Sequence, residues 1–289
     1  MNDSFTFTKI QIINQFMKEN NAAPLKKWGQ NFLIDKNIIE SIILQLPLDS
    51  VLDLDCIVEI GPGLGSITHR LVEFNRDIVL FEIDPILIEN LKKYNYDQPP
   101  FVLVEGDVLS NLEIVSNKKF FCFGNLPYYI STDILTSLMS TCPGMKSGIF
   151  MLQKEFIHRI TKENSSISIF LNCFGEWQHI RNVSASCFYP SPKAESALVH
   201  YKKDEVPKLD PKETIILQII LRSFFWGKRK MISKNIKESP FLEKWDRKKI
   251  YEIITRDGFL SGKERAEDIP KEIYYTLSKN ISNENLTIL

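Results

Sequence analysis

Cys56-Ile57-Val58-Glu59-Ile60 runs directly into Gly61-Pro62-Gly63-Leu64-Gly65. A short, almost wholly apolar run suits a strand buried on both faces. The glycines that follow permit a tight strand-to-helix turn and let a ligand approach the backbone closely. A helical pattern over Ser66–Phe74 comes next. A dinucleotide-binding turn would carry a third glycine three residues after Gly63, but that position is Ser66, and no Gly-Lys-Ser/Thr follows as in a phosphate-binding Walker loop. The turn therefore suits a nucleotide-like ligand better than a pyrophosphate.

Further along, short apolar runs at Ile78–Ile83, Phe101–Val104, Phe120–Phe123 and Gly148–Leu152 alternate with helical patterns at Pro85–Tyr94 and Thr132–Ser140. Alternation of this kind predicts a parallel sheet covered by helices on both faces. Two later runs, Ile167–Phe174 and Ser196–Tyr201, can add strands, although the first reads equally well as a helix. Before the sheet, Ile10, Ile13, Phe16 and Met17 mark an amphipathic helix up to Asn21. A basic, turn-prone stretch, Pro24–Gly29, follows, then a second helix from the N-cap Asp35 to Leu46. Polar Lys202–Lys212, with two prolines, reads as a linker, and Glu213–Leu289 shows helical periodicity throughout. The expected organisation is an N-terminal helical extension (1–21), an α/β domain (22–203) and a small C-terminal all-helical domain (204–289).

Composition narrows the function classes. At 289 residues, 44% hydrophobic and 25% charged, the chain suits a soluble α/β protein with a small second domain. No apolar run reaches the length of a membrane span, and Met1–Thr8 lacks the basic and apolar character of a secretory signal. Five cysteines without a Cys-x-x-Cys pair suit reduced thiols in a cytoplasmic protein, and four scattered histidines show no metal-ligand spacing. Net charge is zero, yet Arg222–Tyr251 holds ten Lys or Arg against three acids, while Glu73–Glu113 holds nine acids against three bases. One segment is therefore suited to phosphates and the other to a cation.

Glu82 ends the second strand of the alternation and Asp107 follows the third. A carboxylate at the first position can accept from two ribose hydroxyls, and one at the second can read an adenine amino group. Both fall on the carboxyl edge of the sheet, where open α/β sheets bind ligands. The spacing resembles that of the class I S-adenosylmethionine-dependent methyltransferases. Their cofactor has no phosphate and carries a sulfonium cation, which suits the acidic surround.

The fourth strand ends in Phe123-Gly124-Asn125-Leu126-Pro127-Tyr128-Tyr129. The lone pair of an adenine N6 is delocalised into the ring, so a site that accepts hydrogen bonds from its N–H groups makes it a better nucleophile. Asn125 can offer its side-chain carbonyl, and Leu126 a backbone carbonyl whose direction is restricted by Pro127. Tyr128 can stack on the base and hold it in line with a methyl donor.

Over about Trp28–Ile269 the chain resembles the ribosomal RNA adenine dimethyltransferases. Besides the glycine turn and Asn125–Tyr128, the resemblance is carried by Gly29-Gln30-Asn31-Phe32-Leu33, Met151-Leu152-Gln153-Lys154-Glu155 and Phe188-Tyr189-Pro190-Ser191-Pro192-Lys193. It extends to Phe225–Met231 and Arg265-Ala266-Glu267. It implies a class I methyltransferase, Rossmann-like sheet with a helical RNA-binding domain, and S-adenosylmethionine as cofactor. Cofactor contacts would come from Asn31, Leu33, Gly61, Gly63, Glu82, Asp107 and Asn125. Catalysis would fall to Asn125, Leu126, Pro127 and Tyr128, with Phe188 facing the target base. Lys228, Arg229 and Lys230 would grip RNA. The substrate would be small-subunit ribosomal RNA within a subunit or its precursor, acted on by a cytoplasmic monomer that needs no metal. Gly29 and Leu126 favour this branch over the large-subunit adenine methyltransferases of macrolide resistance. Intact Asn125–Tyr128 and Glu82 argue against a non-catalytic assembly factor. Three departures stand out. Tyr129 replaces an amide residue, Ser165-Ser166-Ile167-Ser168 lacks an expected arginine, and Trp226-Gly227 is an unusual lead-in to the basic cluster.

Overall fold

The computed structural model describes residues 8–25, 29–46, 53–93, 101–227, 229–256, 258 and 260–284. It divides into two compact units. One comprises the residues up to Ile157 together with Trp177–Lys203. The other comprises His158–Glu176 and the chain from Asp204 onward.

The first unit is built on a sheet of seven strands, Cys56–Ile60 (β2), Ile78–Glu82 (β3), Phe101–Glu105 (β4), Phe120–Asn125 (β5), Met145–Gln153 (β6), Gly175–Val183 (β7) and Ser196–Lys203 (β9). Their order is β4-β3-β2-β5-β6-β9-β7. The pairs β4–β3, β3–β2, β2–β5 and β5–β6 are parallel, and β6–β9 is antiparallel. The expected parallel sheet is thus a mixed one. Its first three strands step outward from β2 and the next two step the other way, so the order reverses between β2 and β5. A crevice opens outside the carboxyl ends of the strands at such a reversal.

β2 and β3 are buried along their whole length, as their apolar sequences require. Ile57, Leu80, Phe121, Phe123 and Ile149 pack with Ile38, Ile39 and Ile42 of the helix Lys36–Ile43 (α2). Asp35 caps α2, accepting from the backbone N–H groups of Asn37 and Ile38. After the glycine turn comes a single helical turn, Thr68–Leu71 (α3), continued by a 3-10 turn over Val72–Phe74 rather than one unbroken helix. Pro85–Lys93 (α4) and Ser131–Thr141 (α6) are helices as expected, and Glu113–Ser116 (α5) and Lys154–Lys162 (α7) are two more.

The N-terminal helix Ile10–Glu19 (α1) buries Ile13 and Met17 against Phe32, Leu64 and Leu87. A two-residue strand, Phe32–Leu33 (β1), pairs antiparallel with Phe188–Tyr189 (β8), Phe32 opposite Tyr189 and Leu33 opposite Phe188.

In the second unit the ambiguous run near Ile167 is the helix Ser166–Asn172 (α8). Ser165 is its N-cap, its side chain accepting from Ser168 N–H. Helices Pro211–Phe224 (α9), Ile232–Glu238 (α10), Arg247–Arg256 (α11) and Lys271–Asn283 (α12) follow. Asp210 and Glu213 form a reciprocal capping box with Pro211 at the first position of α9. Tyr275 donates to the carbonyl of Ile169 at 2.9 Å and Tyr274 to that of Ala266 at 2.8 Å. Among the described residues this helical unit has one isolated bridge, Met231 to Arg265.

Candidate active site

A cleft of about 1010 Å³, counting its open mouth, lies at the carboxyl edge of the sheet. Its wall includes Gly61, Gly63 and Ser66 from the turn after β2, Glu82 and Ile83 at the end of β3, and Gly106 and Asp107 after β4. Asn125, Pro127 and Tyr129 line it after β5, and Gly29–Leu33 from upstream. All seven residues expected to hold the cofactor therefore share one cavity. Of the five expected to act in catalysis, Asn125 and Pro127 line it.

The turn takes its shape from glycine. Gly61 and Gly63 have φ of +70° and +60°, the left-handed region that side chains with a Cβ avoid. A Cβ on Gly63 would also stand 3.3 Å from the Phe32 ring. Glu82 braces the turn: one carboxylate oxygen accepts from Gly63 N–H at 3.0 Å, the other from Ile83 N–H at 2.9 Å and Asp84 N–H at 3.0 Å. Burial nonetheless raises its pKa, outweighing those bonds.

Glu59, inside β2, is 1% exposed yet lines the cleft. Thr68 donates to it at 2.6 Å. Burial pushes its carboxyl up to about 8, the Thr68 bond opposes this and the nearby Glu82 adds to it. Asp107 is exposed and caps the following 3-10 turn through Leu109 N–H at 3.0 Å. Glu59 carried a signal in sequence, as the one acid in an apolar strand, but its part in the cleft was not anticipated.

Among the described lining residues no Lys, Arg or His accompanies the acidic side chains of Glu82 and Asp107 and the carboxyl of Glu59, which burial favours in its protonated form. Such a donor set suits a ligand with hydroxyl and amino groups and positive charge, and repels a polyphosphate. S-adenosylmethionine fits this chemistry.

The end of β5 is held from two sides. Asn125 donates through Nδ2 to the backbone oxygen of Asn31 at 3.1 Å, and Asn31 donates to that of Gly29 at 2.8 Å. Gln30 donates to Asp84 at 2.6 Å, tying the same segment to the end of β3. On the other side Tyr128, half-buried, shares a 2.5 Å hydrogen bond with the hydroxyl of Ser196, which is wholly buried at the start of β9. Burial raises the Tyr128 pKa further above its ordinary alkaline value. Its hydroxyl is thus a neutral, tethered group.

The side chains of Leu126 and Phe188 are buried and are not among those lining the cleft. Leu126 is 1% exposed and its N–H donates to Met151 O at 3.2 Å. Phe188 is 3% exposed and packs in the main core with Ile38 and with Leu33, itself part of the cleft wall. Its neighbour Tyr189 donates to Asn14 of α1 at 2.6 Å, a link invisible in sequence.

A family model of ribosomal RNA adenine dimethylases matches residues 23–282. The chain belongs to that family. Among curated proteins, ribosomal RNA small subunit methyltransferase A of Chlamydia muridarum is 31% identical over 273 residues, 92% of this chain and 95% of its own length. The protein of the same name from Treponema denticola is 34% identical over 276 residues, 90% of each chain. Among solved structures, a dimethyladenosine transferase from Plasmodium falciparum aligns over 89% of this chain and 100% of its own, with a TM-score of 0.73 and 21% identity. A 23S rRNA methyltransferase aligns over 86% and 99%, with a TM-score of 0.60 and 22% identity. The class I methyltransferase fold of this dimethylase family is therefore the fold of this chain.

In the helical unit, Arg229 is exposed, whereas Lys230 is already paired with Glu238 at 2.6 Å. Lys228 lies outside the described residues, as do Lys26, Lys27 and Trp28 of the basic stretch Pro24–Gly29. No group of three metal-ligating side chains occurs among the described residues, and no described helix is long and apolar enough to cross a membrane. All five cysteines are unpaired, and burial pushes the thiol of Cys56 up to about 11 and that of Cys173 to about 12.

Proposed function

We propose that this chain dimethylates N6 of adenines in small-subunit ribosomal RNA, with S-adenosylmethionine as methyl donor. The observation that carries the reading is that Asn125 and Pro127 line the same acidic cleft as Gly61, Glu82 and Asp107. When bound, S-adenosylmethionine supplies an electrophilic methyl group. Glu82 and Asp107 hold its hydroxyl and amino groups, and Asn31 and Leu33 cover it.

The chain's own residues act on the base. Because Asn125 Nδ2 is committed to Asn31, its Oδ1 is the atom left to accept from an N6–H. The Leu126 carbonyl, restricted by Pro127, accepts the second. Accepting from both N–H groups turns the N6 lone pair out of conjugation with the ring and favours a pyramidal, nucleophilic nitrogen. Tyr128 offers its ring to the base while Ser196 fixes its far end. Phe188 contributes by holding β1, and with it Leu33, over the cleft. No general base is required, since the alkylated nitrogen releases its proton readily. The second transfer proceeds with one N–H still bonded to Asn125.

The small-subunit branch is favoured by the small-subunit relatives at 31% and 34% identity over about nine-tenths of the chain. Methyl incorporation into unmethylated small-subunit and large-subunit particles tests it. Dimethyladenine in small-subunit RNA alone is the expected result. Labelling of large-subunit RNA alone would move the chain to the other branch. Absence of cofactor binding by calorimetry would leave a non-catalytic assembly factor.

A further inference from the structure

Trp226 follows directly on the end of α9 and is 51% exposed. An exposed indole offers a π-face on which a base can stack. Its surroundings hold it rigidly. The buried Asn235 of α10 donates to the carbonyl of Phe224 at 2.6 Å and to that of Gly227 at 3.2 Å, closing the turn after α9. A Cβ on Gly227 would lie 2.7 Å from Asn235 Oδ1, which explains the glycine beside the tryptophan. Phe241 meets the Trp226 ring edge-on, with centroids 5.7 Å apart and planes at 80°. The Arg222 guanidinium lies over Phe241, 4.1 Å from its centroid.

The outcome is a half-exposed indole against Phe241, whose ring carries the Arg222 guanidinium. Among the described residues neither Arg222 nor Arg229 has a carboxylate within ion-pair distance, whereas Lys230 and Lys234 share Glu238. Both free guanidinium groups belong to the segment with ten basic residues against three acids. Aromatic faces interleaved with unpaired cations are the arrangement that binds single-stranded nucleic acid, bases on the rings and phosphates on the cations.

We propose that Trp226, supported by Phe241 and Arg222, is a stacking site for an unpaired base of the RNA substrate, apart from the base that is methylated. The inference rests on the reading of this chain as an RNA methyltransferase. The site contributes affinity for RNA and orientation of the strand, and takes no part in methyl transfer.

Stacking and phosphate contacts separate by salt dependence. Binding of a small-subunit RNA transcript is measured for the full chain at several salt concentrations, alongside methyl incorporation and S-adenosylmethionine affinity. Trp226→Ala is expected to weaken RNA binding roughly 5- to 100-fold with an unchanged slope of log K against log salt. Trp226→Phe, which keeps a π-face, retains affinity to within about threefold. Arg229→Ala lowers the slope instead. The apparent KM for RNA rises in Trp226→Ala, while kcat and cofactor affinity stay as in the wild type. Should Trp226→Ala fold poorly, Trp226→Leu keeps the apolar volume and removes the π-face, and the same loss is expected.

Wild-type RNA affinity in Trp226→Ala or Trp226→Leu overturns the stacking site, even where the wild type methylates normally. Loss of self-association in those variants, with RNA affinity intact, overturns it in favour of a contact between copies. A wild type that binds the transcript but methylates no RNA defeats the functional reading, while the binding series still decides the role of Trp226.

Discussion

Asn125 donates its side-chain N–H to the backbone oxygen of Asn31 at 3.1 Å, joining residues 94 positions apart. The bond ties the end of β5 to the segment Gly29–Leu33, which lines the same cleft. It also selects the orientation of the amide. With the nitrogen occupied, the oxygen is the atom left to accept, which is the role proposed for it toward the base. The same covering segment is held by β8 through the pairing of Leu33 with Phe188. Three parts of the chain thus meet on one short strand.

Asn125→Ala removes the acceptor and releases the covering segment. The expected loss in kcat is about 10²-fold or more, the scale seen when one preorganised polar contact to a reacting group is deleted. Cofactor affinity falls less, by under about tenfold, because Glu82 and Asp107 remain. Calorimetry and methyl incorporation on the same preparation check this, and near-normal turnover would sink the assignment of Asn125.

Ser196→Ala leaves the half-buried Tyr128 hydroxyl without its 2.5 Å partner. A net hydrogen bond of about 1 kcal/mol is lost, and the cost to the now unpartnered phenol adds to it. We expect kcat to drop about tenfold with the KM for S-adenosylmethionine unchanged. Tyr128→Phe should give a similar drop. In the double variant the two losses should fail to add, since both delete the same bond. Additive losses would show that Ser196 and Tyr128 act separately.

The central strands were legible because β2, β3 and β5 are apolar almost throughout, a pattern that only double-sided burial explains. Gly61, Glu82, Asp107 and Asn125 were legible as strand-end residues for the same reason. β7 was not, because its sequence, Gly-Glu-Trp-Gln-His-Ile-Arg-Asn-Val, buries only Gly175, Trp177 and Val183 on an edge strand. The run near Ile167 has the length of either element, and the Ser165 cap rather than its apolar content decides for helix. The family resemblance implies that Phe188 faces the base, whereas its side chain is buried in the core. Its burial follows from pairing with Leu33, more than 150 positions upstream. Long-range pairs such as Tyr128 with Ser196 leave no local trace.

Gly63→Ala places a Cβ at a φ of +60° and within 3.3 Å of Phe32. The left-handed conformation alone costs about 1–2 kcal/mol for an alanine. The new methyl group also presses on the ring that α1 packs against. A fall in thermal midpoint of about 2–8 °C and a cofactor affinity weakened at least tenfold are expected. Gly144, remote from the cleft wall, is the control for strain without a ligand effect: its Cβ would clash with the backbone of Lys118. Gly144→Ala should therefore lower stability and leave cofactor affinity in the folded fraction unchanged.

Glu59 makes stability depend on pH in an unusual direction for a carboxylate. Its folded pKa stands at about 8 against an ordinary 4.5, chiefly through burial. Between these values the folded protein keeps a proton that the unfolded chain has released, so stability falls as pH rises through that window and levels off above it. Glu82, also raised by burial, acts in the same sense. His69 and His200, both lowered by burial, act oppositely below their ordinary range. The contribution of Glu59 is therefore isolated as the difference between wild type and Glu59→Gln, which keeps the size of the side chain without the charge. Chemical unfolding of the cofactor-free protein from pH 5 to pH 8.5 should show the variant gaining on the wild type as pH rises. Parallel curves for the two proteins would mean that Glu59 is ionised in the fold at neutral pH, and that its charge, rather than its proton, faces the cleft.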